Sequence, residues 1–194
     1  MRNLLFISIL LTWTASGVMG QQTFNDSLAR SRNEITQDAM LTLGGFAVVN
    51  IASGFAVASG TQGETRYAWR MNAYWNFINL GVAGLGYWGL RNAMAKKYTL
   101  SENERAQISI EKTYAVNFGL DVAYIAGGFY LRARGNTETK PDARNQLKGY
   151  GSSIIFQGAF LLLMDGVMIS LHHRNSNRLN EHLRRLEYLN IFKT

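Results

Sequence analysis

AMLTLGGFAVVNIASGFAVASG, residues 39–60, runs for twenty-two residues without one charged side chain. As a helix it rises about 33 Å at 1.5 Å per residue, enough to cross about 30 Å of hydrocarbon. A water-soluble four-helix bundle is the rival reading. Its helices would show a polar face at period 3.6, and this stretch shows none. MNAYWNFINLGVAGLGYWGL, residues 71–90, is equally uncharged. Residues 114–131 and 150–171 are of the same kind with one acid each, Asp121 and Asp165. The expected fold is therefore all-α, a four-transmembrane-helix bundle with spans at about 39–60, 71–90, 114–131 and 150–171.

The remaining segments read as extensions and connections. Arg2, the apolar Leu4–Trp13 and the small residues ending in Val18-Met19-Gly20 form a secretory leader, residues 1–20, processed before Gln21. The alternative is an uncleaved fifth helix over residues 3–19. Residues 21–194 then make one membrane domain. A first helix is expected over 26–59, capped by Asn25 or Asp26, and a second over 66–97. Ser101 and Glu104 have capping-box spacing and open a third helix. Residues 133–147, with the chain's single proline at Pro141, are the longest expected loop. After a polar break at Asn175–Asn177, Leu179, Leu183, Leu186 and Leu189 recur at helical spacing among arginines. They predict an amphipathic helix over about 177–192, lying on the membrane or packed back on the bundle.

Mean hydropathy is only −0.09, which polar helical extensions beyond the bilayer explain. The formal charge of +7 is that of Lys and Arg flanking spans at lipid headgroups, so no nucleic acid is expected as a partner. The lipid bilayer is, together with a homodimer or larger membrane complex. With no cysteine, disulfide and thiol chemistry are excluded.

A shift of 74 residues lays Ile51-Ala52-Ser53-Gly54-Phe55 on Ile125-Ala126-Gly127-Gly128-Phe129, Glu64-Thr65 on Glu138-Thr139 and Arg70 on Arg144. The bundle is thus read as two duplicated helical hairpins in parallel orientation. A processed leader puts both ends of the mature chain in the periplasm of a bacterial inner membrane. Charge counting opposes this, with seven Lys and Arg on the loops so placed inside and twelve on the outer segments. The positive-inside rule is weakest for long segments, and the leader decides.

Function, if any is readable, sits in polar groups that lipid cannot satisfy. Asn72, Asn76 and Asn79 share one helix face by their spacing, as do Asn117, Asp121 and Tyr124. Asn50 and Ser53 lie mid-span in the first helix, Gln157 and Asp165 in the fourth. Counting from the hairpin turns makes two layers, with Asp165 level with Asn117, Asp121 a turn deeper, and Asn79 level with Ser53. The candidate intramembrane site is Asn50, Asn72, Asn76, Asn79, Asn117, Asp121, Gln157 and Asp165. Asparagines between membrane helices act as glue. A carboxylate costs roughly 2.5–3.5 kcal/mol there and needs a reason: either a locked, protonated hydrogen bond or a cation or proton site. Asp165 is placed to reach water or Arg91. Gly119, Ala123 and Gly127 form a small-residue stripe, read as a contact within the bundle, with a homodimer seam as the alternative. Trp69, Trp75, Trp88, Tyr67, Tyr87 and Tyr114 are read as an interfacial aromatic belt.

His172-His173 with Asp165 has no established metal-ligand spacing, and no phosphate loop, nucleophile elbow or triad signature is found. No enzyme activity, metal or cofactor is expected. The leader, the NIASG stretch at Asn50–Gly54 and RMNAYWNFIN at Arg70–Asn79 resemble an uncharacterised family of small bacterial multipass membrane proteins. The resemblance implies location and fold and brings no activity. The functional expectation is a scaffold or accessory subunit, with a small transporter or channel-like protein for a cation or proton-coupled solute as the alternative.

Overall fold

In the computed structural model the helix backbone runs from Arg2 to Ile191, and side chains are described for residues 22–188. The expected leader and its processing site lie outside the residues whose side chains are described. Four helices fold up-down-up-down: α1 Arg2–Gly60, α2 Gly63–Ala95, α3 Leu100–Asn136 and α4 Pro141–Ile191. Two turns, residues 61–62 and 137–140, close one end of the bundle, here the hairpin end. The α2–α3 connection lies at the opposite, terminal end. Among the described residues two helices are long and apolar enough to cross a membrane, Gln22–Gly60 and Pro141–Tyr188. The asparagines, aromatics and glycines of α2 lower its hydropathy although it carries no charge over 71–90.

Helix boundaries follow local chemistry and correct several expectations. Gly63 takes φ +60°, the left-handed turn that lets α1 reverse into α2 within two residues. The capping box falls on Thr99 and Glu102, not Ser101 and Glu104. Glu102 N–H donates to Thr99 Oγ1 at 3.3 Å, and Thr99 N–H donates to Glu102 Oε2 at 2.9 Å. The 133–147 loop shrinks to residues 137–140. α3 continues to Asn136, and Pro141 opens α4 in the first turn, where its missing N–H costs nothing.

The break at Asn175–Asn177 is absent too. α4 runs straight through it, so the amphipathic segment is its last turns, packed back on the bundle. Leu179 is buried, and His182 stacks on Phe24 with centroids 3.8 Å apart. Asn175 is tolerated in mid-helix because its side chain bonds other helices.

The Thr99 N–H, and after it the Lys96 ammonium 3.0 Å away, hold the Glu102 carboxyl down at about 2. A depressed carboxylate contributes stability at neutral pH, which is lost as pH falls through about 2. Glu102→Gln should therefore lower Tm in detergent at neutral pH and match wild type in strong acid. A constant Tm gap across the titration would rule this out.

One buried stripe per helix builds the interior. On α1 it is Asn25, Leu28, Arg32, the half-buried Ile35, Ala39, Leu43, Ala47 and Asn50, spaced by threes and fours. Only its middle is apolar. Ala39, Tyr114 and Met168 form the hydrophobic core where the extensions meet the apolar segments, packed by Ile35, Ile110 and Ile169.

Close approach depends on a few glycines. A Cβ at Gly128 would lie 2.8 Å from the Gly151 carbonyl oxygen, and one at Gly54 would lie 2.8 Å from that of Trp69. Both hairpins thus cross on equivalent glycines of the NIASG-like stretch. The Gly119, Ala123 and Gly127 stripe points outward instead. Nothing lies within 4 Å of a Cβ at Gly119 or Gly127, so the expected contact within the bundle is not made there.

α2 and α3 do not pack together. No Cα of one lies within 8 Å of a Cα of the other. Only side chains bridge them, Trp75 meeting Tyr124 edge-on at 5.0 Å.

Candidate functional site

Between residues 41 and 167 the bundle is inverted relative to a water-soluble protein. Its outer surface carries Val49, Phe77, Leu85, Phe129 and Leu163, all exposed, while its interior holds amides and acids. Leu163 is 72 % exposed and Gln157, less than two turns away on the same helix, is fully buried.

The layer nearer the hairpin end joins α1, α2 and α4. Asn72 Nδ2 donates to Asn50 Oδ1 at 2.9 Å, and Gln157 Nε2 donates to Asn72 Oδ1. Asn79 Nδ2 donates to Asn76 Oδ1 at 3.2 Å and to Gln157 Oε1 at 3.4 Å. Asn76 and Asn50 turn their amide N–H groups to the carbonyls of Asn72 and Phe46, both at 2.8 Å. The five amides satisfy one another almost completely, so this layer fixes helix register. Ser53 takes no part, bonding the Val49 carbonyl of its own helix.

The second layer joins α3 and α4. Asp121 and Asp165 are both buried and face one cleft. Asp165 does not pair with Arg91, whose side chain is exposed. Hairpin counting placed Asp121 a turn below Asp165, and the packing agrees: a Cβ at Gly158 would lie 3.1 Å from the Asp121 carbonyl oxygen, while one at Gly166, beside Asp165, would face Phe118. Asp121 Oδ2 is buried and meets no donor of the protein. Asn117, half-buried, stands one turn from it.

A cleft of about 200 Å³ opens where α2 and α3 part, and both acids lie on its wall. Asn79, Asn117, Trp75 and Tyr124 share the lining with apolar side chains of all four helices, and no Lys, Arg or His contributes to it. Its lips include Ile78, Val82 and Leu120, three exposed apolar residues. Trp75 is thus a cleft residue, and Tyr114, 3 % exposed, is core. Neither belongs to an aromatic belt, whereas Tyr87 and Trp88 are exposed.

Sequence reasoning missed a third polar region, at the terminal end. Arg32 Nη1 donates to Asn103 Oδ1 at 2.9 Å, and its guanidinium lies 4.8 Å from the Tyr98 ring centroid. Asn103 Nδ2 donates to the Asn25 carbonyl at 2.9 Å. Asn175 Nδ2 donates to Gln107 Oε1 at 2.9 Å, and Gln107 Nε2 donates to the His172 carbonyl at 2.8 Å. His172 is fully buried and stacks on Tyr114 at 5.3 Å. The signal was available in spacing, since Asn103 and Gln107 are four apart and His172, Asn175 and Leu179 three and four. They were passed over because polar residues outside a span read as solvated. At the hairpin end, Arg132 pairs with Glu64 at 2.8 Å and bonds Ser152, tying α2, α3 and α4.

Among the described residues no three His, Cys, Asp or Glu gather as a metal-ion cluster. No curated protein and no solved structure matches the chain. One family profile does, over residues 42–166, which takes in both amide and acid layers and stops short of His172 and Asn175. The chain belongs to that family, a family of unknown function (DUF6992).

Proposed function

We propose that this chain is a non-enzymatic four-span protein of a bacterial inner membrane. In this reading it is a small carrier that binds a proton or small cation at Asp121 and Asp165, with both ends of the processed chain periplasmic. The observation that carries the reading is the carboxyl pair on the wall of a cleft. A purely structural bundle gains register from the amide layer and has no need of a second acid beside the first, at the insertion cost of each. The apolar exterior of all four helices supports four spans, because only hydrocarbon makes that surface inexpensive. The matched crossings at Gly54 and Gly128 support duplicated hairpins.

A scaffold or accessory-subunit role is the second reading. It is favoured by the outward Gly119, Ala123 and Gly127 stripe, a surface on which another helix, of a second copy or of a partner, could lie closely.

The test pairs orientation with function. Reporters fused after Gly63 and after Asn136 should report cytoplasm, and one after Thr194 periplasm. In a host whose deletion gives a phenotype, Asp121→Asn should be made and inserted at the wild-type level, because it keeps size and hydrogen bonding, yet fail to restore the host. Full restoration by Asp121→Asn would overturn the carrier reading in favour of the scaffold.

A further inference from the structure

We propose that the cleft between α2 and α3 binds an amphiphilic organic amine, entering sideways from the bilayer, with its ammonium on Asp121. This rests on the carrier reading and names its substrate class.

The cleft has three chemical zones. Its inner wall is anionic. Two carboxyls lie on it, and Asp121 Oδ2, in a side chain 3 % exposed, is left without a protein donor. No basic residue from any helix lines the cleft to neutralise that charge. Of the titratable groups there, α3 gives Asp121, Tyr114 and Tyr124 and α4 gives Asp165, while α1 and α2 give none. An ammonium supplies the missing charge and up to three N–H donors. Asn79 and Asn117 add amide oxygens in reach of the same cavity.

The middle zone is aromatic. Trp75 and Tyr124 stand edge to face, and such rings favour a cation or an aromatic substituent. The outer zone is apolar. Ile78, Val82 and Leu120 form lips more than two-fifths exposed, on the part of the bundle whose exterior is hydrocarbon-like throughout. The exposed lips stand at the gap between α2 and α3, so that gap is an open approach to the acids. A fully hydrated inorganic cation would face apolar lips. An amine with a hydrocarbon tail matches all three zones in order, and about 200 Å³ suits a small one.

The test uses the full chain purified in detergent, with phenylpropylamine as probe and phenylpropanol as its uncharged match. Binding is read by calorimetry against empty micelles. The amine should bind and the alcohol should bind about tenfold to a hundredfold more weakly, the worth of a charge-assisted hydrogen bond. Asp121→Asn should bring the amine down to the alcohol's affinity. Leu120→Trp, which narrows the cleft at its lip, should weaken the amine at least tenfold. Acid should abolish amine binding by protonating both carboxyls. Equal affinity for amine and alcohol would make the cleft a groove for a lipid tail and overturn the proposal, as would unchanged amine binding in a folded Asp121→Asn protein. Failure of amine binding, with the host still needing Asp121, would sink this proposal alone and leave the proton or small-cation carrier standing.

Discussion

Gly128→Leu should prevent α3 from seating on α4, while Gly127→Leu, its immediate neighbour, should leave the bundle intact. The contrast rests on which way each position faces. A Cβ at Gly128 meets the Gly151 carbonyl oxygen at 2.8 Å and Ile155 Cγ1 at 2.6 Å, whereas one at Gly127 meets nothing within 4 Å. Backbone cannot swing aside as a side-chain tip can, so the helices must separate. Overpacking costs about 1–3 kcal/mol and occasionally more, and here the crossing holds one whole hairpin together. The measurement is Tm in detergent, with membrane level in the host. Gly128→Leu should lose most of its folded protein. Gly127→Leu should stay within a few degrees of wild type, unless it is the seam of a dimer, in which case mass falls to that of a monomer without loss of Tm. Equal tolerance at both positions would refute the crossing.

Asn103→Ala should be the most damaging substitution outside the apolar segments. Asn103 is fully buried, accepts from the Arg32 guanidinium and donates to the Asn25 carbonyl. Arg32 is itself 4 % exposed, and the ion pairs among the described residues, Lys96 with Glu102 and Arg132 with Glu64, do not include it. Its charge is held by an amide oxygen and an aromatic face. Burial pulls the guanidinium below its ordinary value, yet an arginine does not shed its proton near neutrality. Removing the Asn103 side chain leaves a charged donor buried with a poorer partner, at a cost of about 3 kcal/mol. Arg32→Met should cost less, because it removes the charge together with its need. The double variant Arg32→Met with Asn103→Leu should recover much of the loss. Thermal unfolding of the four proteins forms the cycle. If Asn103→Ala unfolds with wild type, Arg32 reaches water and the terminal-end core is not sealed.

The positions of the helices were legible from uncharged length, and the sign of the interior from the period of the asparagines. Asn72, Asn76 and Asn79 had to face inward together because their spacing allows nothing else. Partners were not legible. The same period says which face of a helix is polar and nothing of which helix lies opposite. Asn72 finds Asn50 and Gln157, while Asn117 finds only the cleft. Hairpin counting set Asp121 a turn below Asp165 correctly but set Asn79 level with Ser53, because it took the first turn as longer than residues 61–62. The two crossings instead pair Gly54 with Trp69 and Gly128 with Gly151, so the second hairpin has the wider separation.

Helix ends and faces divide in the same way. Glycine at Gly63 and proline at Pro141 act through their own backbone, so the turns were readable where those residues stand. Whether the chain breaks at Asn175 is different in kind. An asparagine favours leaving a helix when water is its alternative, and stays in one when a neighbouring helix offers Gln107 and the Leu28 carbonyl. Gly127 and Gly128 are equally small, and a rotation of about 100° per residue separates the one that packs from the one that is exposed. By itself, then, the sequence determined helices of membrane length with polar interior faces, because length and period are properties of a single helix. The tertiary structure alone decided that α2 and α3 part, that two acids meet on the wall of the gap, and that a buried arginine rests on an amide. Those outcomes depend on the rotation and height of one helix against another, which no single helix carries.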